Sequence, residues 1–90
     1  MNTALETRIR AAGAEMSKPG RWRIAFSQLE QATQQIFGEP DPDLHAAELA
    51  LEQLQQLYQW APVMQNHEYH HLNQLVMQLI EYIGNNSASA

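Results

Sequence analysis

From Tyr69 to Ile83 the apolar residues Tyr69, Leu72, Leu75, Val76, Leu79, Ile80 and Ile83 recur at helical intervals, each three or four residues from another of the set. That interval returns a side chain to one face of an α-helix every turn. A strand cannot use it, because successive strand residues point to opposite faces of a sheet. Three further stretches show the same periodicity and none alternates convincingly at period two, which leaves only all-α solutions.

Strong punctuation separates the stripes. The first helix is expected over residues 3–16, with Asn2 or Thr3 as N-cap and Leu5, Ile9, Ala12 and Met16 on one face. Ser17-Lys18-Pro19-Gly20 ends it, since proline and glycine are poor in helix interiors. The second is expected over 20–37, with Trp22, Phe26, Leu29, Thr33 and Ile36 on its apolar face and Gly38 as a left-handed stop. Asp41 as N-cap and Pro42 at the first helical position then open a third helix over 42–60. Its seam is Leu44, Ala47, Leu51, Leu54 and Tyr58, widened by Ala50 and Leu57. The fourth covers 66–83, from an N-cap at Asn66 to a stop at Gly84, and residues 85–90 read as a disordered tail. Such short links favour antiparallel neighbours. The expectation is an all-α, small antiparallel bundle of three to four amphipathic helices, a single domain over residues 1–84.

Charge is distributed unevenly along this bundle. All five cations, Arg8, Arg10, Lys18, Arg21 and Arg23, fall in the first 23 residues against Glu6 and Glu15, a local balance of +3. The remainder has eight acids and no Lys or Arg, a balance of −8, so the chain carries −5. General nucleic-acid binding is not expected, because phosphate contacts need a basic surface. The basic first helix has a thin stripe in which alanine buries little. It therefore reads as an element held by screenable attraction to the acidic remainder and able to detach from it.

Only 17% of residues are charged, and glutamine takes the place of the missing ions, with Gln53, Gln55, Gln56 and Gln59 clustered in helix three. A neutral amide enters an interface without the desolvation penalty of a charge, which favours partner binding or self-association. There is no cysteine, so disulfide and thiolate chemistry are absent and a reducing compartment fits. The first six residues lack a secretory pattern and no 18-residue apolar run exists. A cytoplasmic protein that does not enter membranes is the resulting expectation.

One motif carries chemistry. His67-Glu68-Tyr69-His70-His71 matches H-E-x-x-H, in which two histidines one turn apart hold Zn²⁺ and the glutamate activates its bound water. On a helical wheel, however, His67 lies roughly 140–150° and His71 roughly 110° from the centre of the apolar face. That places the pair toward solvent rather than in a shielded cleft, with no third ligand at a familiar spacing. A zinc-dependent hydrolase is therefore the third reading; neither a catalytic residue nor a cofactor is assigned.

The residues that a simple bundle leaves over point to binding. Leu49 and Trp60 lie about 120–140° off the seam of helix three, with Gln53 and Gln56 between them on one stripe. Either a partner contacts this stripe, or helix one or the Pro62 loop covers it. Trp22, between Arg21 and Arg23, offers an aromatic face in a basic setting, or else is the first core residue of its helix. The leading expectation is a small non-enzymatic interaction protein of chaperone, anti-activator or adaptor type. Its candidate partner-binding residues are Leu49, Gln53, Gln56, Trp60, Arg21, Trp22 and Arg23. The alternative is a structural homo-oligomer of helical subunits.

Overall fold

The computed structural model describes residues 3–87, which form four α-helices and no strand. These are α1 (Thr3–Met16), α2 (Trp22–Gly38), α3 (Leu44–Gln56) and α4 (Asn66–Ser87), with a 3-10 segment, Leu57–Val63, between the last two. Asn2, one of the two expected N-caps, and residues 88–90 of the expected tail lie outside the described residues.

Local chemistry sets each boundary, not always where the sequence pattern places it. The turn after α1 is made possible by Gly20, whose φ of 70° is open to glycine and strained for other residues. Gly38, by contrast, is the last helical residue of α2 and needs no left-handed conformation. The stop comes from Glu39, which is extended (φ −73°, ψ 138°) because the ring of Pro40 disfavours the α region in the residue before it. The cap of α3 is Asp43 rather than Asp41: its carboxylate accepts the Ala46 backbone N–H at 3.0 Å, and its own N–H donates to the Tyr82 hydroxyl at 3.1 Å. Helix α4 passes through Gly84 to Ser87, three residues beyond that glycine. There the Asn86 amide and the Ser87 hydroxyl donate to the carbonyls of Tyr82 and Ile83, so residues 85–87 are helical rather than disordered.

Helix three also ends early. Pro62 lacks the N–H that would bond to Tyr58, and its ring crowds that turn, so from Leu57 the chain tightens into the 3-10 form. The helical wheel changes from about 100° to about 120° per residue at this point. Trp60 consequently eclipses Leu57, which is fully buried, and turns toward the core instead of away from it.

Side-chain contacts between helices establish the topology. Arg8 on α1 donates to Gln35 near the end of α2, so those two run antiparallel. The Asp43–Tyr82 bond and a 2.6 Å bond from the Tyr58 hydroxyl to Asn73 do the same for α3 and α4. Helix α3 is central, packing against α1, α2 and α4, while α4 lies outside it and meets α2 lightly.

Small residues draw α1 into this arrangement. Leu5, Ile9 and Ala12 are wholly buried, and Met16 is nearly so. Ala25 and Ala32 on α2, with Ala46, Ala47 and Ala50 on α3, let the helices approach closely. The thin stripe therefore reflects close packing rather than weak packing, and α1 is part of the core. Nor is α1 held chiefly by the acidic remainder. Lys18 and Arg21 both pair with Glu15, and Arg10 lies 3.8 Å from Glu6. Because α1 and α2 occupy one side of α3, its buried line rotates to Ala46, Ala47, Ala50, Leu54 and Leu57, leaving Leu44, Leu51 and Tyr58 half-buried.

Candidate functional site

The stripe of Leu49, Gln53, Gln56 and Trp60 divides. Leu49 and Trp60 are half-buried and packed against the core. Gln53 lies against Gly13 of α1, so closely that a Cβ at that glycine would fall 2.4 Å from the amide oxygen. Helix one thus covers this flank of α3. Gln53, Gln56 and Trp60 do come together with Gly13 and Met16 around a shallow cleft of about 480 Å³. Trp60 is the only large apolar side chain that α3 and its continuation bring to it.

The Arg21-Trp22-Arg23 group is committed internally. Trp22 is 7% exposed and belongs to the core, with the Arg23 guanidinium 4.5 Å from the centre of its ring. Arg21 pairs with Glu15. Arg23 binds Glu68 through two hydrogen bonds, at 2.8 and 3.1 Å, and so joins the start of α2 to the start of α4. No open aromatic face in a basic patch remains.

The same contacts define the histidine motif. Glu68 accepts the Gln65 backbone N–H at 2.9 Å, closing the first turn of α4 as the reciprocal half of a capping box, so the N-cap is Gln65 rather than Asn66. Its carboxyl is lowered from 4.5 to about 2, first by the Arg23 hydrogen bonds and then by the Gln65 N–H. His71 pairs with Glu30 and stacks on Phe26 with ring centres 5.6 Å apart, whereas His67 is exposed. These side chains line an α2/α4 cleft of about 330 Å³. Among the described residues no three His, Cys, Asp or Glu side chains are grouped as a metal would require. The motif glutamate here fastens two helices.

A different surface stands open. Tyr69, Met77 and Ile80 on α4 are 41%, 69% and 52% exposed, although the stripe reading assigned Tyr69 and Ile80 to the core. Helix α4 has α3 on one side and α2 lightly on another, and its apolar arc is wider than those neighbours cover. Tyr69 packs edge-on to Tyr58 with centroids 6.1 Å apart, and Tyr58 holds Asn73 through its hydroxyl. Burial raises the Tyr58 phenol above its usual range, with Tyr69 adding to the effect. The result is a tethered aromatic pair beside two free aliphatic side chains. Met77 carried the available signal in the sequence, as a large apolar residue roughly 150° from the centre of the buried stripe.

Sequence periodicity also missed a contact beneath α1. Glu6 is buried, with one carboxylate oxygen 3.1 Å from His45 Nδ1 on α3 and the other without a hydrogen-bond partner among the described residues. No helix among the described residues is long and apolar enough to cross a membrane. The chain matches no protein-family model, no curated protein and no solved structure.

Proposed function

We propose that this chain is a small interaction protein of chaperone, anti-activator or adaptor kind, which presents the outer face of α4 to a protein partner. The exposure of Tyr69, Met77 and Ile80 on one face of α4, where no other helix packs among the described residues, carries this reading. Clustered large apolar side chains on a small monomer are costly in water and mark contact surfaces, and a pre-ordered tyrosine is well suited to anchoring one. The face replaces the Leu49–Trp60 stripe as the docking surface, because α1 and the core already cover most of that stripe. A cysteine-free chain functions without difficulty in the reducing cytoplasm, where we place it.

A photo-crosslinking amino acid at Met77, compared with one at Gln34 on the exposed side of α2, tests the reading in cells that express the protein. A discrete crosslinked product is expected at Met77 and lost when Ile80→Glu is added. No product above the Gln34 level would refute an interaction role for this face.

A further inference from the structure

Along the outer face of α4, Tyr69, Asn73, Met77, Ile80, Gly84 and Ser87 are spaced by four, four, three, four and three residues. Their directions fall within an arc of roughly 80°, centred about 110° from the buried stripe. Alternating three- and four-residue spacing is the seam that one helix presents to another packed nearly parallel or antiparallel to it. Apart from the phenol of Tyr69, the seam contains no ionisable side chain.

We propose that the occupant of this seam is a second copy of the same chain, with the two α4 helices antiparallel about a two-fold axis near Met77. The inference rests on the interaction role assigned above. Three features of the seam favour self-pairing. Tyr69 lies eight residues before Met77 and Gly84 seven after it, about 12 and 10 Å along the helix. A two-fold axis at Met77 therefore sets each tyrosine opposite the partner copy's glycine, and each Asn73 opposite Ile80. Gly84 is helical and exposed, and among the described residues nothing lies within 4 Å of the position its Cβ would take, so a bulky ring has room there. The polar Asn73 already accepts from the Tyr58 hydroxyl of its own chain, so facing Ile80 does not strand its amide oxygen.

Charge selects the same face. From residue 24 onward the chain is net −8 with no Lys or Arg, and joining two copies through the outer face of α3, where Glu48 and Glu52 are exposed, brings carboxylates together. Pairing on the neutral seam avoids this, and salt strengthens it by screening the remaining repulsion. A basic partner would show the opposite salt dependence. A seam about 30 Å long and 10 Å across buries roughly 600 Å² over both copies, below the about 1,000 Å² of a stable specific interface. The dimer is accordingly weak, with a Kd above about 1 µM.

Sedimentation of the full chain from 5 to 500 µM, in low and high salt, is the test. A monomer–dimer equilibrium that tightens with salt is expected. Met77→Glu combined with Ile80→Glu should weaken it at least tenfold while helix content is retained, because both side chains are exposed. Since the chain lacks cysteine, Met77→Cys should form a disulfide-linked dimer on mild oxidation far faster than Gln34→Cys. A chain that stays monomeric at 500 µM, or a dimer indifferent to the two glutamates, overturns the proposal. The crosslinking experiment distinguishes this failure from that of the interaction role. A Met77 product with the mass of a different protein removes only the second copy, and no product removes both.

Discussion

Replacing Ile9 by alanine separates two accounts of α1, an integral helix and a detachable cover. Ile9 is wholly buried, in a helix that packs on both α2 and α3. The substitution removes three carbon atoms, about 2.4 kcal/mol at roughly 0.8 kcal/mol per buried methylene. Incomplete collapse of the resulting cavity brings the loss to about 3–4 kcal/mol. A 90-residue domain has roughly 5–13 kcal/mol in all, so this one change removes a large share of it. The melting midpoint should fall by about 12–32 °C, at about 4–8 °C per kcal/mol for a domain of this size. Urea denaturation followed by circular dichroism should show a lower midpoint, an unchanged slope and a single transition. Amides of α1 should also exchange on the same timescale as those around Leu54 and Leu79. If α1 were a detachable cover, the main transition would stay within about 3 °C of the parent, and only α1 amides would exchange faster. That pair of results would refute the argument from close packing.

Two further predictions concern helix starts. Asp43→Ala should cost about 1 kcal/mol by freeing the Ala46 N–H, lowering the melting midpoint by about 4–8 °C, whereas Asp41→Ala should leave it nearly unchanged; equal effects would contradict the cap assignment. Glu68 has a folded-state pKa near 2, below its ordinary 4.5, so its stabilising contribution is complete above pH 4.5 and is lost as pH falls toward 2. Melting curves of the parent and Glu68→Gln should therefore differ most above pH 4.5 and converge near pH 2. A gap that is constant with pH would mean that the Arg23 and Gln65 contacts do not depend on the charge.

Helical spacing in the sequence was enough to identify the number and order of the helices and most of the buried side chains, such as Leu29, Ile36, Leu54 and Leu72. Period and punctuation act within a few residues, and that is the range over which a helix forms or stops. Even there, neighbouring chemistry intervened. Asp41 and Asp43 are both competent caps, and only Asp43 sits where a carboxylate can reach the N–H three residues ahead while Tyr82 holds its own N–H. The wheel left Trp60 open between a partner contact and cover within the chain, and it packs on the core because one proline tightens the last turn and changes the angle per residue.

The candidate surface depended on distant parts of the chain. Whether Ile80 is core or contact depends on how many helices lie beside α4, and whether Gln53 is exposed depends on where α1 crosses α3. The spacing in the sequence records that α4 has a wide apolar arc without recording how much of it is covered. Coverage is a property of neighbours brought together by folding. Alanines and a glycine on α1, α2 and α3 let those three helices close on one another, so α4 was left on the outside with part of its arc in water.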